Sequence, residues 1–514
     1  MPRSWYVLDT IYLMILIGAT RVSYRLIRLR RQNRTFPWSK RKKVMIIGGG
    51  EAGRSLITEI QNSKYLDQKV VCIIDDDPYK IGRYIKGVKV VGNRNSIKKS
   101  VKKYNVQQII LTMPSANAAK IRPIVEICRD TNCELMILPG VYQLVNGEVK
   151  ASKLRPVNID DLLGRDEVHV NLNEVMDYVS GRVIMVTGGG GSIGSELCRQ
   201  IAKHSPKQLI IFDIYENNAY DIQQELLREQ PKLDLVVLIG SVRDENRINS
   251  IFEQYRPEII YHAAAHKHVP LMEGSPNEAI KNNVLGTYNM VRMADKWNAK
   301  RFVQISTDKA VNPTNIMGAS KRICEMIIQT YNKESNTEYV AVRFGNVLGS
   351  NGSVIPLFKK QIAEGGPVTV THPEIIRYFM TIPEAVSLVL QAGAYGKGGE
   401  IFVLDMGEPV KILDLARNMI RLSGYKVDQD IKIEFTGLRP GEKLYEELLM
   451  DEEGMTDTPN KLIHIGHPID VDEVKLAHAL RVLESAAQNE TDDMRLIVES
   501  IVPTYHPKLN KSTQ

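Results

Sequence analysis

The chain has 514 residues, of which 43% are hydrophobic and 25% are charged, as in ordinary globular proteins. This composition excludes a disordered chain, a collagen-like repeat and a small disulfide-stapled protein, and the length predicts about two to four domains. The five cysteines are scattered and form no CxxC pair. The sequence therefore predicts no disulfide framework and no metal site, and it suits a reducing compartment.

Most of the excess positive charge lies at the N-terminus. Residues 1–43 contain 11 Lys or Arg and a single acidic residue, Asp9, whereas the rest of the chain contains 56 basic and 59 acidic residues. A nucleic-acid-binding protein usually carries its cations on a folded domain. We therefore expect no nucleic-acid partner and look for a membrane instead.

An apolar stretch precedes most of these cations. Its uninterrupted part, Ile11 to Ala19, is shorter than the roughly 18 to 20 residues that span a bilayer, and several arginines follow it. This order of charges, with no small-residue cleavage site, disfavours a signal peptide. We predict a single-pass or interfacial anchor, with the downstream chain in the cytoplasm because cations favour that side. A buried helix is the alternative.

The first of two glycine-rich motifs follows directly. The segment VMIIGGGEAG predicts a strand that ends in a turn with Gly48, Gly50 and Gly53, and the next predicted strand ends at Asp75. In Rossmann-type folds such glycines permit a tight turn, the approach of a phosphate and close packing of helix on strand. This domain either binds a nucleotide or nucleotide sugar, or is a scaffold in which the acidic run is a solvated turn.

The second glycine motif, in GRVIMVTGGGGSIGSEL, has the TGxxGxxG spacing of short-chain dehydrogenase-like folds. Its helix N-terminus would bind a pyrophosphate. Asp213 ends the next predicted strand, where a carboxylate accepts ribose hydroxyls and repels a 2′-phosphate, so NAD is predicted rather than NADP. Alternatively, Asp213 caps a helix. The residues predicted to contact NAD are Gly188, Gly191, Ser192, Ile193, Gly194, Asp213, Ser241, Val242, Ala263, Ala264, Ala265 and Lys321.

The reactive residues are predicted at the end of a later strand. The segment RFVQISTDKAVNP places Thr307, Asp308 and Lys309 together, which supplies a hydroxyl, a carboxyl and an amine. The Tyr-x-x-x-Lys pattern of short-chain dehydrogenases would fall on Met317 and Lys321, and a thioether cannot transfer a proton. We therefore predict that Asp308 and Lys309 divide the acid and base roles. A salt-linked turn is the alternative.

Five segments carry a resemblance to a known family. TGGGGSIGSEL, AAAHKHVPLMEGSPNEAIKNNVLGT, STDKAVNPTNIMGASKR, RFGNVLGSNGSVIP and TGLRPGEKLYEELL resemble the membrane-associated nucleotide-sugar 4,6-dehydratases of bacterial polysaccharide and protein-glycosylation pathways. The subgroup that this chain resembles, UDP-N-acetylglucosamine 4,6-dehydratases, has Met in place of Tyr. The family typically carries several N-terminal membrane helices, and only a segment similar to the last is present here.

The resemblance implies an α/β fold with two successive Rossmann-like domains, the second an extended short-chain dehydrogenase/reductase fold. Together with the motifs, it predicts a membrane anchor helix and basic segment over 1–43, a nucleotide-binding-type domain over 44–150, a linker over 151–175 and a catalytic domain over 176–514. The resemblance also implies self-association of the chain.

The implied activity is NAD-dependent 4,6-dehydration of a UDP-sugar at the bacterial inner membrane. Carbon 4 is oxidised, water is lost across carbons 5 and 6, and the hydride returns to carbon 6. In this scheme Lys309 is the base at carbon 5, Asp308 is the acid at the carbon 6 hydroxyl, and Thr307 is the partner of the carbon 4 oxygen. The residues implied for the substrate diphosphate are Lys267, Asn346, Arg377, Arg439 and Glu442.

Two other functions stay open at this point. A UDP-sugar 4-epimerase shares the fold and NAD, but it needs no acid and base for loss of water and normally keeps the tyrosine. A non-catalytic sensor or scaffold of the envelope would explain Met317 as decay of an active site.

Overall fold

The chain divides into two units in the computed structural model, residues 1–164 and residues 165–514. The boundary falls inside the predicted linker 151–175, most of which lies outside the described residues. The structure describes residues 4–32, 41–63, 67–114, 116, 118–129, 131, 133–138, 154–156, 176–447, 454–466 and 471–507.

The helices and strands of the described residues are numbered separately in chain order. The helices are α1 (Ser4–Gln32), α2 (Glu51–Asn62), α3 (Ile97–Tyr104), α4 (Ala118–Arg129), α5 (Ser192–Ala202), α6 (Glu216–Glu229), α7 (Glu245–Tyr255), α8 (Val269–Glu273), α9 (Pro276–Ala279), α10 (Gly286–Lys296), α11 (Ile316–Glu334), α12 (Val354–Ala363), α13 (Ile382–Tyr395), α14 (Ile412–Leu422), α15 (Glu473–Gln488) and α16 (Met494–Ile501). The strands are β1 (Lys42–Ile47), β2 (Gln68–Ile74), β3 (Tyr84–Ile85), β4 (Val88–Gly92), β5 (Gln108–Leu111), β6 (Glu134–Ile137), β7 (Arg155–Pro156), β8 (Val183–Thr187), β9 (Gln208–Asp213), β10 (Leu235–Ile239), β11 (Ile259–His262), β12 (Arg301–Ile305), β13 (Glu338–Arg343), β14 (Asn346–Val347), β15 (Val368–Val370), β16 (Ile376–Arg377), β17 (Phe379–Met380), β18 (Ile401–Leu404), β19 (Val410–Lys411), β20 (Ile433–Phe435), β21 (Met455–Asp457) and β22 (Ile463–Gly466).

The first unit contains a seven-stranded sheet in the order β3-β4-β2-β1-β5-β6-β7. The five central strands, β4, β2, β1, β5 and β6, are parallel. The short strands β3 and β7 pair antiparallel at the two edges. The run from Val44 to Ile47 is at most 2% exposed, as expected of a parallel strand covered on both faces. The Rossmann-like α/β pattern predicted for this region is therefore present.

Helix α1 precedes this sheet and contains the apolar stretch. Its described side chains, residues 11–25, are all exposed, and Met14 and Ile15 are 71% and 65% exposed. Among the helices that the structure describes, none combines the length and the apolar composition needed to cross a membrane.

The second unit contains a nine-stranded sheet in the order β10-β9-β8-β11-β12-β13-β18-β22-β21. The strands from β10 to β18 are parallel, and β22 and β21 are antiparallel. The chain order reverses between β8 and β11, and in open α/β sheets ligands bind beyond the carboxyl ends of the strands at such a switch point. The loops after β8, β11, β12 and β13 therefore define the candidate site.

A fully buried ion cluster joins α11 to β12 and β13 beneath this site. The Glu325 carboxylate accepts hydrogen bonds from Arg343 Nε (2.7 Å), from Arg322 (2.9 Å) and from Ser306 Oγ (2.7 Å). Burial alone would raise the pKa of Glu325, but the Arg343 guanidinium outweighs it and lowers this pKa to about 2. The cluster holds the helix that carries Lys321 against the strand that leads into Thr307.

Candidate active site

The glycine turn after β8 is shaped for close approach of a ligand. Gly188 has φ +66°, and a Cβ there would lie 2.8 Å from the backbone nitrogen of Ala264. A Cβ on Gly194 would overlap the Gly188 carbonyl oxygen, so helix α5 can start this close to the strand only with glycine there. Gly191 caps α5 and has no side chain to accept from the first turn, so the N–H groups of Ser192 and Ile193 at this helix N-terminus can donate to an anion.

Asp213 closes this turn from the end of β9. Its Oδ2 accepts a hydrogen bond from the Gly190 N–H (2.8 Å), and its Oδ1 accepts one from the Tyr215 N–H (2.8 Å). The N-cap of α6 is Tyr215, so the interpretation of Asp213 as a helix cap is wrong. The carboxylate stands beside the glycine turn, as predicted for a ribose-binding residue.

The other residues predicted to contact a dinucleotide lie at the same edge of the sheet. The N–H of Ala263 donates to the Thr187 carbonyl (3.1 Å), which places the Ala263–Ala265 segment beside the glycine turn. Val242 is 5% exposed and packs against Gly286. A Cβ on Gly286 would lie only 2.6 Å from the Val242 side chain.

Met317 and Lys321 lie one turn apart on α11 and are 3% and 6% exposed. Burial lowers the pKa of Lys321, and the negative charge of Glu325 opposes this shift. A Cβ on Gly318 would overlap the Lys309 carbonyl oxygen. Helix α11 therefore packs directly against the turn that carries Lys309.

The predicted reactive residues form one hydrogen-bonded group. Asp308 Oδ1 accepts hydrogen bonds from Thr307 Oγ1 (2.9 Å) and from Lys309 Nζ (2.8 Å), and Lys309 Nζ also donates to Asn346 Oδ1 (3.3 Å). The side chains of Asp308 and Lys309 are 1% and 17% exposed. The group is a salt-linked turn, which was the alternative interpretation of the sequence. It also places an acid and an amine at the carboxyl ends of the strands, where ligands bind in this type of sheet.

A second carboxylate, Glu446, faces this group and was not predicted from the sequence. Its Oε1 lies 3.9 Å from Lys309 Nζ, and its side chain is 5% exposed. Burial alone would lower the pKa of Lys309, but Asp308 and Glu446 outweigh it and raise this pKa. Glu446 lies in the segment TGLRPGEKLYEELL, but nothing in the local pattern distinguishes it from Glu442 or Glu447.

The residues implied for a diphosphate divide into two groups. In the first group, Lys267 Nζ donates to Ser350 Oγ (3.3 Å), and the Arg439 side chain is 55% exposed and pairs with Glu442 (3.0 Å). Their role as diphosphate ligands stays a prediction. Asn346 instead contacts the reactive group through Lys309.

Arg377 is buried, and it donates hydrogen bonds to the segment around residues 442–446. Its guanidinium donates to the carbonyl oxygens of Ile376 (2.7 Å), Lys443 (2.7 Å) and Leu444 (3.2 Å). It also lies 3.6 Å from the Glu442 carboxylate. These contacts hold the chain around residues 442–446, and a role for Arg377 as a diphosphate ligand stays a prediction.

The first unit has a similar glycine turn. Gly48 has φ +104°, a Cβ on Gly53 would overlap the Gly48 carbonyl oxygen, and Asp75 Oδ2 accepts from the Gly49 N–H (2.7 Å). Asp75 is also ion-paired with Lys80 at 3.1 Å. Asp75 is therefore part of the glycine turn, whereas Asp76 is exposed, and the ligand of this unit stays open.

Comparison with known proteins places this site in a family. A family of polysaccharide biosynthesis proteins matches residues 184–468. The capsular polysaccharide biosynthesis protein CapD of Staphylococcus aureus is 48% identical to this chain, over 86% of this chain and 73% of its own length. The chain belongs to the polysaccharide biosynthesis protein family.

Three further similarities cover parts of this chain. A CoA-binding domain family matches residues 3–139. A UDP-glucose 4-epimerase of Rickettsia bellii is 36% identical over 53% of this chain and 79% of its own length. The X-ray structure of Pen from Bacillus thuringiensis is 35% identical, covers 57% of this chain and 89% of that chain, and superposes with a TM-score of 0.53.

Proposed function

We propose that the protein is an NAD-dependent nucleotide-sugar 4,6-dehydratase. Its substrate would be UDP-N-acetylglucosamine, and its product the 4-keto-6-deoxy sugar used for surface polysaccharide or glycoprotein glycans. The observation that carries this proposal is the 2.8 Å hydrogen bond between Lys309 Nζ and Asp308 Oδ1 at the carboxyl end of β12. Elimination of water requires a base and an acid next to each other, and this pair supplies both.

The glycine turn after β8 fits a dinucleotide. Gly188 and Gly194 allow the turn and α5 to pack closely on the neighbouring backbone, the start of α5 offers N–H donors to a pyrophosphate, and Asp213 favours a free ribose over a 2′-phosphate. When bound, NAD supplies the hydride acceptor for carbon 4 and the hydride donor for carbon 6. Lys321 would hold the nicotinamide ribose from α11.

The acid and the base can be made from one ion pair. Since the pKa of Lys309 is raised, its resting form is an ammonium, whereas a base must be an amine. A shift of one proton from Lys309 Nζ to Asp308 Oδ1 along their hydrogen bond gives an amine and a carboxylic acid. The two side chains are then the base and the acid of the reaction without any proton from solvent.

The elimination then restores the ion pair. The Lys309 amine takes the proton from carbon 5, the carbon 6 to oxygen bond breaks, and Asp308 gives its proton to the departing hydroxyl to form water. The electrons of the broken C–H bond form the double bond between carbons 5 and 6. Thr307 lies at the same end of β12, and its hydroxyl would donate to the carbon 4 oxygen.

A UDP-sugar 4-epimerase is the second candidate, favoured by the 36% identity to the epimerase of Rickettsia bellii. An epimerase uses NAD at carbon 4 but has no water to eliminate. Met317 occupies the position where such enzymes normally have their tyrosine. In an epimerase the Asp308 and Lys309 pair would also have no loss of water to catalyse. These features favour the dehydratase.

The product mass distinguishes these candidates. Purified protein incubated with UDP-N-acetylglucosamine should give a product lighter by one water. UDP-glucose serves as a control for the N-acetyl group. An unchanged mass with a different sugar would indicate an epimerase, and an unchanged substrate would contradict both enzymes.

Nucleotide released by denaturing the protein should be mainly NAD, and mainly NADP would refute the argument from Asp213.

Helix α1 supports a second, separate proposal, that the protein associates with the bacterial inner membrane at its cytoplasmic surface. The exposed apolar residues of α1, such as Met14 and Ile15, are followed by Arg21 and Arg25. An apolar face next to cations suits the interface of an anionic membrane.

Removal of residues 1–43 tests this membrane proposal. The full chain should float with vesicles that contain anionic lipid, and floating should decrease with salt because the cations contribute. The shortened chain should stay in the soluble fraction and keep its dehydratase activity. Flotation of the shortened chain to the same extent would show that the membrane contact lies elsewhere.

A further inference from the structure

We infer that Glu446 is a positioning residue that sets the proton affinity of Lys309. The inference rests on the proposed function, because it assigns a part in the same proton transfer. Glu446 Oε1 lies 3.9 Å from Lys309 Nζ, outside hydrogen-bond distance, and both side chains are largely buried. At this separation a carboxylate acts on an amine through its charge, while the hydrogen bond of Lys309 to Asp308 stays free for proton exchange.

The chain holds Glu446 at this place by contacts on either side. Arg377 donates to the Lys443 carbonyl oxygen (2.7 Å), and its guanidinium lies 3.7 Å from Glu446 Oε1. Asn315 Nδ2, at the start of α11, donates to the Gly441 carbonyl oxygen (3.1 Å). The segment that carries Glu446 is therefore tied to the helix that packs on the Lys309 turn.

Both signs of charge surround the Lys309 amine. Burial raises the pKa of Glu446, and the Lys309 ammonium opposes this shift. Lys443 also faces Glu446. The charged groups that face Lys309 are Asp308 on its own turn, Glu446, Arg377 and Lys267. Because Asp308 exchanges the proton with Lys309, Glu446 is the facing carboxylate that takes no part in that exchange.

The position of Glu446 has a consequence for the elimination. When Lys309 accepts the carbon 5 proton it becomes an ammonium, and the nearby carboxylate stabilises that product. Lys309 is thereby a stronger base than an isolated buried amine, but a higher pH is needed to bring it to the amine form. Removing the charge of Glu446 should weaken the base and also make the free amine appear at lower pH.

The pH profile of the Glu446→Gln variant tests this inference. Since an opposite charge within about 4 to 6 Å shifts a pKa by about 1 to 3 units, the falling limb of kcat at high pH, where the Lys309 and Asp308 pair loses its shared proton, should move by about that much to lower pH. The plateau of kcat should fall. Glu446→Asp keeps the charge and should leave the limb close to that of the parent.

Glu447→Gln is the matched control, because this neighbour loses the same charge on the same segment. Its carboxylate contacts Lys443 (3.7 Å) and Asn312 (2.8 Å) and not Lys309, so the limb should not move. If Glu446→Gln lowers kcat equally at every pH and the limb stays in place, Glu446 has only a structural role and the inference is overturned.

A second measurement works without turnover. Lys309 in the full chain is labelled with an amine-reactive reagent at a series of pH values, and the extent is read by peptide mass spectrometry. The midpoint should lie lower in Glu446→Gln than in the parent. If the parent does not dehydrate UDP-N-acetylglucosamine but the midpoint shifts, only the proposed function fails. If the parent turns over but the midpoint and the limb stay, only this inference fails.

Discussion

Replacing Lys309 with methionine should slow the dehydration of UDP-N-acetylglucosamine by at least about 100-fold, the typical contribution of a general base. Methionine has a similar length but no atom that can take the carbon 5 proton. The variant also loses the hydrogen bonds from Nζ to Asp308 and Asn346, so Asp308 loses the group that supplies its proton. The rate is followed as the appearance of dehydrated product at saturating substrate.

Two further variants control this experiment. Lys300→Met makes the same change at an exposed lysine that pairs with Glu258 (2.7 Å), and its rate should match the parent. Asp308→Asn keeps the Lys309 side chain, so at a pH high enough to form its amine solvent deuterium should still enter at carbon 5 while water loss slows, whereas Lys309→Met should lose both. Bound nucleotide should remain in all three, because the glycine turn is unchanged. Near-parental turnover in Lys309→Met would remove Lys309 from the mechanism.

Replacing Glu325 with glutamine should lower the free energy of unfolding of the second unit by about 3 to 5 kcal/mol, as expected when one partner of a buried ion pair is removed. The variant takes away the carboxylate that Arg322 and Arg343 share at the centre of the buried cluster. Typical proteins are stable by only about 5 to 15 kcal/mol. Urea unfolding followed by the fluorescence of Trp297, with Trp5 and Trp38 replaced by Phe, measures the change.

The same variant changes the dependence of stability on pH. The pKa of Glu325 is about 2 in the fold, below the value of about 4.3 in an unfolded chain. Its stabilisation is therefore complete above about pH 4.3 and is lost as the pH falls toward 2, and Glu325→Gln should lack this component. Glu245→Gln breaks a half-exposed pair with Arg292 and should cost less than about 1 kcal/mol. An equal cost for both variants would contradict the importance of burial.

The parts of the fold that follow local rules were predictable from the sequence. A strand that ends in closely spaced glycines predicts β8 and α5, because Gly188 needs a positive φ and Gly194 leaves no room for a Cβ. Asp213 at the end of β9 follows from the same rule, since the second strand of this fold ends beside the turn. Adjacent residues such as Asp308 and Lys309 necessarily share one turn.

The contacts between distant residues were not predictable in the same way. Lys309 meets Asn346 and Glu446 only because the loop after β13 and a segment near residue 440 return to the same edge of the sheet. Arg377 has the residue type of a phosphate ligand, but its donors go to backbone carbonyl groups. No spacing rule specifies which way such a side chain points, so these contacts require the three-dimensional structure.

The packing of Gly318 on Lys309 has a consequence for how this architecture can diverge. Because the backbone of α11 touches the backbone of the turn that carries Lys309, the separation of helix and turn does not depend on the side chain at position 317. Exchange of that one side chain can then change which group moves protons without any shift of the main chain. Under the proposed function, a single scaffold of this kind can therefore support several reactions at carbon 4 of a sugar nucleotide.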